Sequence, residues 1–345
     1  MKKLITLSLI VFIAIHAQAK VWRINNTPGV TADFTSGAAA LASGSVVNDD
    51  TLYFEASAIS YTNITLSKRL VLIGAGYFLS GANSNLNLQA NPNSVFFAGN
   101  TIILDSTCSG SVIMGLDDLK ITPSSAATLG SATDNITITR CGNIQLLNFF
   151  GFTPNSKMTG WKINKCYINS ISLAAFVVQN WEITNNIIIN QADISNTGNL
   201  NNLVRNNVFR GGITLFSGYF SNNIITPNTF TATNFTIKNN ISTGNNLPPG
   251  NGNVNNSTDA ILFQGLTGNS TDGQWRLKTG GTNPAIGGGE TISTITPDCG
   301  TYGTADPYVL SGIPAIPTIY LLTVPASVAS NAPTMPITIS TKSNN

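Results

Sequence analysis

Asp105, Asp117, Asp118 and Asp134, with Lys120 and Arg140 close by in the chain, are the residues best placed to do chemistry. Carboxylates on neighbouring segments can protonate a glycosidic oxygen and activate water, which is glycoside hydrolysis. They can equally hold Ca2+ beside a basic group that removes a proton, which is elimination. Asp117, Asp118, Asp134 and Arg140 are therefore the catalytic candidates. Ca2+ is expected only under the elimination reading, and no other metal or cofactor is expected. Against catalysis, Asp117-Asp118 also suits a chain bend, and between residues 135 and 258 the only acidic side chains are Glu182 and Asp193.

Other chemistry is thin. The single histidine, His16, lies in the N-terminal apolar stretch, which excludes an imidazole base, a Ser-His-Asp triad and histidine-ligated zinc from the remainder. Cys108, Cys141, Cys166 and Cys299 form no C-x-x-C pair, and no histidine is at hand to activate a thiol. Trp161 and Trp181 hold equivalent places; they form a sugar-stacking platform if exposed, but their parity favours the interior. Lys162, Arg205 and Lys238 fall on outward positions where they could touch an acidic glycan.

Lys2 and Lys3, the apolar run Leu4–Ile15 and Ala17-Gln18-Ala19 have the form of a cleavable export signal over residues 1–19. The run is too short to span a bilayer and no later segment is longer, so no transmembrane segment is expected and the protein is expected to be secreted or at the cell surface or periplasm. Of 17 Lys and Arg, removal of these two leaves 15 against 15 Asp and Glu. A chain so balanced has no basic stripe for nucleic acid. Charged residues are only 9% of the whole, while 43 are Asn and 31 are Gly.

These candidates need a scaffold, and a repeat supplies it. Ile136–Cys141, Trp161–Cys166, Trp181–Asn186, Asn202–Asn207, Gly218–Asn223 and Phe235–Asn240 share one pattern. Three residues before the end of each stands an apolar residue (Ile138, Ile163, Ile183, Val204, Phe220, Ile237), and the next is polar (Thr139, Asn164, Thr184, Arg205, Ser221, Lys238). Period-two alternation marks a strand with one buried face. Apolar residues resume after the pair at Tyr167, Ile187, Val208, Ile224 and Ile241. Strand, bend and strand repeating every 16 to 25 residues predict coils of a parallel β-solenoid, since one coil alone cannot bury its inward column. Asn186, Asn207, Asn223 and Asn240 are expected to stack as a structural ladder, Asn being suited to a left-handed bend and able to bond the coils above and below. Cys141 and Cys166 share that column, where a disulfide and two packed thiols are both open.

Around the repeat, residues 20–50 read as an N-terminal cap with a short helix at Ser36–Ser43. Earlier coils are expected at Leu52–Phe54, Leu70–Gly74, Val95–Phe97, Thr101–Leu104 and Val112–Thr122. Residues 51–306 make the solenoid, and the proline-broken residues 307–345 a closing segment or small β unit.

The Asn-rich coils resemble those of secreted bacterial right-handed parallel β-helix proteins of the pectate-lyase-like superfamily. Asn283-Pro-Ala-Ile-Gly-Gly-Gly289 and Asp298-Cys-Gly-Thr-Tyr-Gly303 are similar to the segments that often end such helices. The resemblance implies an all-β, right-handed, single-stranded parallel β-helix over about residues 21–306. It says little of activity, because this fold carries lyases, hydrolases, adhesins and scaffolds. The scarcity of carboxylates along the repeat favours a non-catalytic protein of surface attachment, adhesion or polysaccharide contact. The alternative is a polysaccharide lyase or glycoside hydrolase with its site near residues 105–140.

Overall fold

The computed structural model describes residues 19–124, 133–147, 157–196, 198, 200–226 and 229–344. The export signal, apart from Ala19, lies outside them. The chain is all-β with very little helix, and its strands wind as a parallel solenoid.

Three strand ladders build it. In the first, Val21–Ile24 pairs with Thr51–Phe54, then Val71–Ile73, Val112–Met114, Thr137–Thr139, Lys162–Asn164, Glu182–Thr184 and Asn202–Arg205, and on into the C-terminal halves of Ile213–Ser221 and Phe230–Lys238. Its register aligns Trp22, Leu52, Leu72, Ile113, Ile138, Ile163, Ile183, Val204 and Phe220, all buried. The ladder begins at Val21–Ile24, within the entry stretch of residues 20–50. A second, shorter ladder follows the bend, aligning Tyr167, Ile187, Val208, Ile224 and Ile241. The third aligns Ile64, Ile102, Ile121, Leu146, Ile171, Ala192, Ile213 and Phe230. β-Branched residues dominate these columns because their stiff side chains pack well on a pleated surface. Each full burial is worth about 1.5–3 kcal/mol, and stacked coils about 4.8 Å apart supply it where a lone coil could not.

Two early segments differ from expectation. Val112–Thr122 is two strands, Val112–Met114 and Lys120–Pro123, because Asp118 turns left-handed at φ 49° between them. Val95–Phe97 makes only one bridge, Phe96 to Asp117, while Ile64–Leu66 is a strand the pattern did not expose.

The helix Gly37–Ala42 covers the first turns, with the Ser36 hydroxyl accepting from Ala39 N at 3.2 Å as its cap. Trp161 and Trp181 stack at 4.8 Å with planes 5° apart, inside the solenoid, and donate to the carbonyls of Thr133 and Met158. A sugar platform there is thereby excluded. At the far end Thr318–Thr323 and Thr338–Lys342 form an antiparallel hairpin, whose Ile319, Leu321, Leu322 and Ile339 are exposed.

Candidate functional site

The bends carry two columns with separate tasks. Arg140, Lys165, Asn185, Asn206, Asn222 and Asn239 all take left-handed backbone, with φ between 54° and 56°. These are the first residues of each pair, not the anchors: the anchors Asn186, Asn207, Asn223 and Asn240 are fully buried and serve through their amides. Asn207 Oδ1 accepts from Asn186 N at 2.9 Å and Nδ2 at 3.0 Å, while Asn207 Nδ2 donates to Ile183 O at 2.8 Å. The same bonds recur from Asn207 to Asn223, from Asn223 to Asn240, and from Asn240 to Asn253, a rung the repeat did not reveal. Below, Cys166 N donates to Asn186 Oδ1 and Cys141 N to Cys166 Sγ at 3.5 Å. The two thiols thus occupy ladder places. All four cysteines are free and buried, so the pair open to a disulfide stands as packed thiols. Burial pushes the Cys166 thiol well above its ordinary value and those of Cys108 and Cys299 to about 12, which makes these three poor nucleophiles.

Residues 283–319 return along the outside of these bends, against the direction of winding, as a strap. Asn239 Nδ2 donates to Gly288 O, Asn222 Oδ1 accepts from Glu290 N, and Asn206 Nδ2 donates to Asp298 O. Asn185 Nδ2 then meets Asp306 O, Lys165 pairs with the Asp306 carboxylate, and Arg140 Nη1 donates to Ile313 O at 2.7 Å. The strap passes so near that a Cβ on Gly312 would lie 2.2 Å from Arg140 O, and its φ of +53° suits glycine as well. Tyr77 N bonds Ser311 O, and the hydroxyls of Tyr77 and Tyr308 join beside the buried Asp272, which accepts from Ser311 N at 2.6 Å.

Most of the catalytic candidates are engaged in contacts of the fold. Arg140 lies under the strap, and burial draws its basicity down. Asp134 Oδ1 accepts from Thr159 N at 2.8 Å, joining two coils. Asp117 accepts from Asn143 Nδ2, and burial pushes its carboxyl up to about 6. Asp118 is raised too, by its own desolvation, against the nearby Lys120. Asp105 caps the turn Ser106–Cys108. Among the described residues no group of three or more Cys, Asp or Glu side chains could hold a metal ion.

On the outer side of the first ladder, Lys162 pairs with Glu182 at 3.5 Å, and Lys238 with Glu290, which also accepts from the Tyr219 hydroxyl. Arg205, between them, is different: among the described residues no acceptor meets its guanidinium, and its Nε is shut off from solvent. It lines a cleft of about 600 Å³ between the strand face and the strap, walled by Leu203, Ile292, Ile295 and Pro297. Asn185 Oδ1 and Thr304 Oγ1, in the same walls, are also buried without a partner. Arg205 is visible in the repeat, but the residues facing it come from about 100 positions further on, with no local signal to announce them.

Compared with known proteins, the chain matches no family model, no curated protein and no solved structure. What stands of the resemblance is its architecture, the parallel solenoid.

Proposed function

We propose that this chain is an exported, non-catalytic β-solenoid of bacterial origin that contacts polysaccharide at a cell surface. The observation that carries the reading is the engagement of the candidate catalytic residues in holding the fold together: Asp134 on Thr159, Asp117 on Asn143 and Arg140 on Ile313. A hydrolase or lyase needs its carboxylates convergent in an open groove. The outer strand face instead carries Lys162 and Tyr219 on one column and Lys238 on the next, polar side chains suited to contact with an extended polymer. Among the described residues no helix is long and apolar enough to cross a membrane.

The test is a panel of acidic and neutral polysaccharides scored for retention and for reducing-end or unsaturated product. Retention without product is expected. Product that disappears in Asp118→Asn would overturn the reading in favour of an enzyme with its site near residues 105–140, where Asp117 with its raised carboxyl adjoins Asp118. Absence of retention on every polymer would remove polysaccharide contact altogether.

A further inference from the structure

We propose that the cleft beneath the Ile292–Ile295 turn captures the free C-terminal carboxylate of a peptide whose last residue is apolar. This stands apart from polysaccharide contact, for it rests on a different observation: polar atoms left without partners in one apolar cleft. Among the described residues no carboxylate is in ion-pair contact with Arg205, although Glu290 is near enough to feel its charge. Glu290 is held by Lys238 and Tyr219, and Asp306 by Lys165. A guanidinium with open amino nitrogens fits a carboxylate better than a neutral hydroxyl.

The second requirement is a donor. Asn185 is 8% exposed, and its amide orientation is fixed, because Nδ2 donates to Asp306 O at 2.9 Å. Its Oδ1 is therefore an acceptor, and it has no donor. A sulfate could meet Arg205 but would bring no donor to Asn185; a neutral sugar hydroxyl could meet Asn185 but would bring no negative charge to Arg205. A peptide end brings both, a carboxylate and the N–H of its last residue, within one bonded unit. The third requirement is apolar. Leu203, Ile292 and Ile295 wall the cleft, Ile292 and Ile295 being 51% and 72% exposed, and an apolar last side chain would cover them. The volume of about 600 Å³ falls within the usual range of small-ligand sites. Thr304 Oγ1, able to donate or accept, completes the polar set.

The experiment is calorimetric titration of the chain without residues 1–19, using N-acetyl-Ala-Ala-Leu as free acid, the same tripeptide as its C-terminal amide, and hexanoate. The free acid is expected to bind saturably, with the amide and hexanoate each about tenfold weaker or more. Arg205→Met is expected to weaken the free acid about tenfold, while Arg205→Lys retains part of the affinity. Ile295→Ser, at a site exposed enough to spare the fold, is expected to weaken it severalfold with unchanged thermal unfolding. Equal binding of acid and amide, hexanoate as tight as the tripeptide, an unaffected Arg205→Met or Ile295→Ser, or no saturable binding of the acid would each overturn the proposal. None of these bears on polysaccharide retention, so the two readings fail separately.

Discussion

The Arg140 guanidinium donates to the carbonyl oxygen of Ile313 at 2.7 Å, across 173 residues of sequence. Arg140 was singled out for its charge beside a group of aspartates, and the structure gives it a mechanical task. Arg140→Met is expected to destabilise the protein by about 2 kcal/mol, the usual worth of a bond to a charged donor with a carbonyl left unmet. The strap should also become sensitive to protease before the coils do. Chemical denaturation and timed proteolysis would check both; unchanged cleavage between residues 300 and 316 would count against it.

The two bend columns should respond to different substitutions. Asn223→Ala removes the acceptor for Asn207 N and the donor to Val204 O, leaving buried groups unpaired, and is expected to cost about 3 kcal/mol or more. Its neighbour Asn222 has φ 56°, so Asn222→Val adds strain of about 1–2 kcal/mol while Asn222→Gly relieves it, though either loses the bond to Glu290 N. Unfolding midpoints for the three variants should fall in the order Gly, Val, Ala from most to least stable.

The thiols give a direct reading of burial. In the folded protein none of Cys108, Cys141, Cys166 and Cys299 should react with a thiol-specific disulfide reagent, and all should react in denaturant. Because Cys166 stands in a ladder place, Cys166→Asn should be better tolerated than Cys166→Val, which cannot accept from Cys141 N. Fast native labelling of any of the four would contradict their placement.

Asp117 sets a pH dependence of defined sign. Its carboxyl is pushed up to about 6 in the fold, from an ordinary value of 3.8, chiefly because burial opposes the charge. Between these two values the folded chain binds more protons than the unfolded one, so its contribution to stability falls as pH rises. Asp117→Asn should therefore gain on the wild type across that window, by up to about 3 kcal/mol at pH 7, and gain nothing at pH 3.5. Denaturant unfolding at pH 3.5, 5 and 7 would show it; a difference independent of pH would sink the idea.

The solenoid was legible because its signal is local: one inward residue at Ile138, Ile163, Ile183, Val204 and Phe220 repeats wherever the chain completes a turn. The bend was legible to within one residue. The pattern marks the pair but cannot say which member twists and which bonds, since Asn does both. The strap was not legible. Its contacts join side-chain amides to backbone carbonyls, as Asn206 to Asp298, and backbone carries no sequence. For the same reason the aspartates read as a candidate site by proximity in the chain, while the partner each one takes, as Asp134 takes Thr159 N, is set by a neighbouring coil.

A solenoid bound only turn to turn would give way from an end, one coil after another. Here the strap runs back past six bends to Tyr77 and Ala90, whose N–H groups bond the carbonyls of Ser311 and Ile319. Tension applied at the C-terminus is therefore delivered to the early turns. The row of bend contacts thereby couples the late coils to the early ones, so that loosening at one bend is felt along the strap.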